Sequence, residues 1–299
     1  MSALSFVASV IFNNRLHVAL MPAALTLFWN VALGLPLPAE YLLMTTLHTA
    51  GGYWWNMVTD AVEDSINYPR RGRFIWPDSR LTLLLILACF VGSLFLAARA
   101  GWLFVLYGTV MNVLGTLYGL RMRLPGGREF RVKSVLGLKN LYAAFFWSVS
   151  LVLSPYVYLG RVPDGRAALV VAISCMISLF VELLWDVRDI AGDRVAGMRT
   201  LPIVLGEERS RWLLHGANVV YAALLLYGLA SGLLPSPYAV ALVHAALVAV
   251  YVEHFFRRAD RQLSSHLYLL FGGVFIGIVI AMGAPGRTIL PDVMQGLPR

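Results

Sequence analysis

Charge is what this 299-residue chain has least of. Only 13% of its residues are Asp, Glu, Lys or Arg, against 59% hydrophobic, where a soluble domain carries about 25% charged residues. That deficit excludes a water-soluble globular protein and implies a polytopic membrane protein. Cysteine is nearly absent too. Cys89 and Cys175 each sit inside an apolar run, so no disulfide framework is implied. The first basic residue is Arg15; with no positive n-region ahead of the first apolar run, that run is expected to stay in the membrane rather than be cleaved. A Gly-rich phosphate loop, a Ser, Cys or His nucleophile with its base, low-complexity tracts and long linkers are all missing. We therefore expect a single domain over 1–299.

The apolar runs are long enough, at about 20 residues each, for nine spans. They fall near 16–34, 40–60, 80–98, 102–120, 139–159, 167–187, 210–230, 237–256 and 266–284. Turn chemistry at Gly34-Leu-Pro36-Leu-Pro38, Pro163-Asp-Gly165 and Pro235-Ser-Pro237 separates several of them. The expected fold is all-α, nine transmembrane helices around a central cavity. The net charge of +8 raises nucleic acid as a partner, but the arginines cluster between spans, which the positive-inside effect explains and nucleic acid does not. Of the 24 Lys and Arg, all but Arg99, Arg161, Arg166, Arg287 and Arg299 fall on the side of the N-terminus and the even-numbered loops. That side is expected to be cytoplasmic, in the plasma (inner) membrane.

Acidic residues are rarer still, yet six of the 16 fall in two short windows: Asp60, Glu63 and Asp64, then Asp186, Asp189 and Asp193. Asn56, Asp60 and Asp64 lie four apart, turning about 40° per step on a helix, so they share a face. Asp186, Asp189 and Asp193 fall within about 60°, with Glu182 one turn earlier. Carboxylates near membrane depth are costly unless paired, hydrated or metal-bound. Oxygen ligands on facing helices suit Mg²⁺, which keeps positions for water and phosphate oxygens. Arg188, about 160° from Asp186, is expected to face away from the stripe. Gly51-Gly52 suggests a close helix crossing, and His48 a hydrogen bond to a neighbour. Tyr53, Trp54, Tyr142, Phe145, Phe146 and Trp147 could stabilise a cation by their faces, though an interfacial belt accounts for them more simply.

The run Asp186-Val-Arg-Asp-Ile-Ala-Gly-Asp-Arg-Val-Ala-Gly197-Met-Arg-Thr200-Leu-Pro202-Ile-Val-Leu-Gly206 resembles the second aspartate motif of the UbiA superfamily of intramembrane prenyltransferases. Asn56, Asp60 and Asp64 match three of the four positions of that family's first motif, Asn-Asp-x-x-Asp-x-x-x-Asp. Asp64-Ser-Ile66-Asn67-Tyr-Pro69-Arg-Arg71 is similar to the Asp-x-Ile-Asn-x-Pro-x-Arg of members acting on chlorophyllide or glycerol-ether lipids. Tyr118 to Arg123 and Leu138-Lys139-Asn140 resemble the family's loop between helices four and five. The chain departs from the pattern at Met57, Gly72, Trp185 and Ala191, and at Gly119-Leu120, where Ser-Pro-Pro is usual.

The resemblance implies Mg²⁺-dependent transfer of a prenyl group from a polyprenyl diphosphate to a hydrophobic acceptor, aromatic or lipid-like. Asn56, Asp60, Asp64, Asp186, Asp189 and Asp193 are then the metal ligands, with Asp60, Asp64, Asp189 and Asp193 catalytic. Arg71, Lys133, Lys139, Tyr118 and Arg123 are the candidates for holding the diphosphate. Glu182 either orients and deprotonates the acceptor or supports the metal ligands from behind. Asp60→Asn is expected to leave stability intact by relieving carboxylate crowding. Two alternatives stay open at this point: a terpene cyclase of the same superfamily, needing no acceptor, and a non-enzymatic transporter or lipid-binding protein with acidic gates.

Overall fold

A computed structural model describes residues 3–67, 75–76, 79–123, 125–126, 129–258 and 261–283. Each long apolar run becomes a helix because the bilayer leaves no other way to satisfy its backbone. The helices are α1 (Ala3–Asn13), α2 (Leu16–Leu33), α3 (Ala39–Thr59), α4 (Ala61–Asn67), α5 (Arg80–Ala98), α6 (Trp102–Gly119), α7 (Leu138–Tyr158), α8 (Gly165–Arg188), α9 (Ile190–Val195), α10 (Leu201–Leu205), α11 (Glu207–Ala230), α12 (Ala239–Arg257) and α13 (Arg261–Gly283). One small hairpin, β1 (Met122–Arg123) against β2 (Glu129–Phe130), lies between α6 and α7.

The expected nine spans correspond to α2, α3, α5, α6, α7, α8, α11, α12 and α13. Eight of them are apolar enough to cross a membrane by composition alone. The exception, α3, has the length at 21 residues, but Thr45, Thr46, His48, Thr49 and Asn56 dilute its hydropathy. It is the helix that carries polar groups into the centre. Leu84, Phe95, Trp102 and Val250 are exposed on the outside, as lipid-facing positions should be.

Neighbouring helices pack in the order α2, α3, α5, α6, α7, α8, α11, α12, α13, and α13 returns to α2, so the bundle closes into a ring. Local chemistry fixes its corners. Gly34 ends α2 in the left-handed region (φ 61°), its N–H bonded to the Asn30 carbonyl. The Asp164 carboxylate starts α8 by accepting from the Ala167 N–H at 3.0 Å. Only half of the expected Gly51-Gly52 crossing point forms. A Cβ on Gly51 would lie 2.9 Å from the Phe90 ring of α5, whereas one on Gly52 would meet nothing within 4 Å. Tighter still is Gly119, where a Cβ would fall 2.7 Å from Thr59 Oγ1; this brings the end of α6 onto the end of α3.

Candidate active site

The two acidic stripes fold by the same device. Asp60 sits between α3 and α4 with φ −102° and ψ 21°; Asp189 sits between α8 and α9 with φ −97° and ψ 9°. At both, the helix is interrupted for one residue while the four-residue hydrogen bonds continue through it. The Asp60 and Asp64 N–H groups donate to Asn56 and Asp60 carbonyls at 2.8 Å, and those of Asp189 and Asp193 to Trp185 and Asp189 carbonyls at 2.9 and 3.0 Å. The expected one-face stripes therefore survive, although each is split over two helices. Asn67 ties the two together. Its amide donates to the Asp189 carbonyl at 3.4 Å and accepts from the Gly192 N–H at 3.1 Å.

Asn56, Asp60, Asp64, Tyr118, Lys133, Lys139, Glu182, Asp186, Asp189 and Asp193 all line one cavity of about 150 Å³. Of the remaining candidates, Arg71 lies outside the described residues. Arg123 is corrected: it stands exposed on β1, paired in register with Glu129, because the segment between α6 and α7 forms a hairpin that carries Arg123 outward. Arg188 is corrected the other way. Following α8 around its last turn, its guanidinium reaches Asp189 with contacts of 2.8 and 2.5 Å and lines the cavity. A long flexible stem makes the 160° helical offset irrelevant.

Carboxylate crowding is also not what the structure holds, since each of the five stripe aspartates has a cationic partner. Asp60 is paired with Arg131 and Lys133. Asp64 accepts both contacts from Arg15 Nη2 at 3.0 Å. Asp186 binds Lys139 and, at 2.9 Å, the Asn140 amide. Asp193 lies 3.8 Å from Lys139. Burial pushes the Asp193 carboxyl up to about 6, the pull of Lys139 notwithstanding. Arg131, which carried no role in the sequence, is the joint of the region. Its Nε donates to the Gly119 carbonyl at 2.8 Å and its Nη2 to the Thr59 carbonyl at 2.9 Å, capping α6 and α3 together.

Whether these residues suit Mg²⁺ turns on their donors. Six carboxylates line the cavity against four cations, Arg15, Lys133, Lys139 and Arg188, and the donor set is oxygen throughout, as a hard cation requires. Asp193 Oδ2 is buried with no hydrogen-bond partner among the described residues, leaving lone pairs that a metal would take. Among the described residues no three acidic or imidazole groups are yet gathered around one point, because the side chains are turned toward their cations. The residues fit the ion by charge and donor type.

Aromatic rings form the next layer inward. Tyr53 stacks on Trp147 at 5.6 Å and meets Trp185 edge-on; with Tyr142 and Phe146 they line the cavity. Phe145 is exposed, as the belt reading expects, and Trp54 is buried with its Nε1 donating to the Asn14 carbonyl at 3.0 Å. His48 lies in the cavity wall beside Asn112. A second cavity of about 480 Å³ shares Tyr53, Trp147, Glu182 and Trp185 with the first. Its lining is almost wholly apolar and includes the exposed Leu20, Leu270 and Val274, so it reaches the outer surface between α2 and α13. Glu182 thus stands at the junction of the polar and apolar chambers.

The sequence matches the model of the UbiA prenyltransferase family over residues 19–279. It is 31% identical over 197 residues to the digeranylgeranylglyceryl phosphate synthase of Natronomonas pharaonis, covering 64% of this chain and 66% of that one. The synthase of the same name from Methanoculleus marisnigri is 28% identical over 232 residues, 74% and 78% of the two chains. The match to the Halobacterium salinarum synthase spans 56% of its length. In fold, the chain is similar to the UbiA homolog from Archaeoglobus fulgidus bound to DMAPP and Mg²⁺, with a TM-score of 0.65, 19% identity and coverage of 96% and 100%. It is also similar to the apo UbiA homolog from Aeropyrum pernix, with a TM-score of 0.62, 18% identity and coverage of 87% and 96%.

Proposed function

The chain belongs to the UbiA prenyltransferase family, and on that premise we propose that it transfers a prenyl group from a prenyl diphosphate to a lipid-like acceptor, using Mg²⁺. The observation that carries this reading is the junction of two unlike chambers: an acid-rich one with Lys133 and Lys139 in its wall, opening at Glu182 into a larger apolar one. A diphosphate with an apolar tail has that same division.

In this reading Asn56, Asp60, Asp64, Asp186, Asp189 and Asp193 hold the ion. Bound there, Mg²⁺ supplies Lewis-acid neutralisation of the charge that develops on the leaving diphosphate. Lys133 and Lys139, paired with Asp60 and Asp186, would be the cations that hold the phosphate oxygens when those carboxylates serve the ion. The carbon–oxygen bond of the donor breaks toward the diphosphate, and the prenyl carbon bonds to the acceptor. Tyr53, Phe146 and Trp147 wall the reacting carbon from water and offer it their faces. Glu182 takes the proton that the acceptor gives up. The Natronomonas and Methanoculleus synthases, both of a glyceryl phosphate lipid and matched over 197 and 232 residues, support a lipid acceptor over an aromatic one.

The test is mass spectrometry of purified protein with labelled geranyl diphosphate and Mg²⁺, with and without a single-chain glycerol ether phosphate. A prenylated lipid that forms only with Mg²⁺ and the lipid supports transfer. A hydrocarbon product without the lipid means cyclisation instead, and no consumption of the diphosphate removes the enzyme reading.

A further inference from the structure

On the α2–α13 side of the polar cavity, away from Lys133 and Lys139, stand two histidines that the reaction above does not use. The rings of His17 and His266 lie 5.2 Å apart, nearly perpendicular at 82°. Phe12 braces both, stacked on His266 at 4.6 Å and edge-on to His17 at 4.8 Å. Both ring nitrogens of His17 and the Nδ1 of His266 are buried; among the described residues none has a partner that meets strict hydrogen-bond geometry, with the Ile11 backbone the group nearest to offering His17 one. Buried polar atoms are nearly always satisfied, so unmatched nitrogens on two adjoining rings leave donors and acceptors for a polar ligand. Two guanidiniums flank them in the same wall. Arg15 holds Asp64, and Arg188 holds Asp189 and donates to Ser265 Oγ at 3.2 Å.

The apolar cavity begins at this point, since His17 and Leu269 line both chambers. We propose that His17 and His266, flanked by Arg15 and Arg188, form a second anion subsite that takes the phosphate of a single-chain lipid acceptor, with its chain in the apolar cavity. This rests on the prenyltransferase reading. Imidazole N–H groups donate to phosphate oxygens, and the guanidiniums of Arg15 and Arg188 add positive charge and further N–H donors beside them. The acceptor's phosphate is then held apart from the donor's diphosphate, and its reacting end is directed toward Glu182.

Binding of a C16 glycerol ether phosphate, of the same ether without its phosphate, and of geranyl diphosphate with Mg²⁺ is measured on the full chain in detergent. The intact protein is expected to prefer the phosphorylated ether by about tenfold or more. The His17→Ala/His266→Ala double variant is expected to lose that preference and keep its affinity for geranyl diphosphate. Should the double variant lose both ligands, the single variant His266→Ala decides by the same ratio. No preference in the intact protein, a preference retained in the variants, or inorganic phosphate competing as well as the lipid overturns the subsite. Binding of the lipid phosphate without any binding of geranyl diphosphate would instead remove the prenyltransferase reading and the acceptor role with it.

Discussion

Asp60 meets two opposite demands. In the metal-binding role proposed above it would give up its cations, yet in the structure it is the counter-charge of Arg131 and Lys133, whose side chains are each only 7% exposed. Asp60→Asn keeps the shape and removes the charge, so turnover should fall about 10²–10³-fold through lost transition-state stabilisation. Contrary to what crowding would imply, stability in the absence of Mg²⁺ should fall as well, by about 3–5 kcal/mol, since a buried pair is broken from one side. Asp189→Asn should behave alike, leaving the buried Arg188 short of its carboxylate. Because groups that act as a unit are not additive, the double variant should turn over little worse than either single one. Turnover against Mg²⁺ concentration and metal-free thermal unfolding in detergent check the set. Near-normal, Mg²⁺-independent activity in either single variant excludes a shared metal role, and fully multiplicative losses would mean that the two clusters act separately.

The interrupted helices show what was legible in the chain and what was not. Apolar length alone located the spans, because a bilayer imposes it. The acidic stripes were legible because a one-residue interruption at Asp60 or Asp189 leaves the four-residue spacing untouched. The short helices α4 and α9 were not, since one altered ψ leaves no trace in residue type. Nor were the roles of Arg15, Arg131 and Arg188, whose partners depend on how loops fold back; Arg131 is one of many loop arginines until α3 and α6 end beside it. Asn67 was legible as part of a motif but not as the clamp between α4 and α9. Asn67→Ala removes the bonds to Asp189 and Gly192, and each unpaired backbone group costs about 1–3 kcal/mol. The Mg²⁺ concentration for half-maximal turnover should therefore rise about tenfold or more, with Asn67→Asp intermediate because it still accepts from Gly192. Unchanged Mg²⁺ dependence in Asn67→Ala would remove the clamp. At the α3–α6 joint, Gly119→Ala should destabilise by about 1–3 kcal/mol through overpacking. Adding Thr59→Ala deletes the Oγ1 that the new Cβ meets at 2.7 Å and should restore most of that loss; no rescue would place the strain elsewhere.

The whole molecule is polar at both ends of the ring but unequally so. The acid-rich cavity gathers Arg15, Lys133, Lys139 and Arg188 at one end. At the other, Arg99 meets Glu40 at 3.4 Å and Tyr158 donates to Glu40 at 3.0 Å, with few other cations nearby. Since cytoplasmic loops hold the excess of Lys and Arg, the cavity should open to the cytoplasm, where soluble diphosphates and Mg²⁺ are found. Pro125 and Pro163 are both exposed and lie on either side of α7, so one helix separates them. A thiol reagent that cannot cross membranes should label Pro163→Cys in intact cells, and Pro125→Cys only after permeabilisation. Cys89 and Cys175 lie within α5 and α8 and form the background. The reversed pattern would put the cavity on the outer face and require an external supply of prenyl diphosphate. Equal labelling of both sites from one side would mean that α7 does not cross, which the closed ring does not allow.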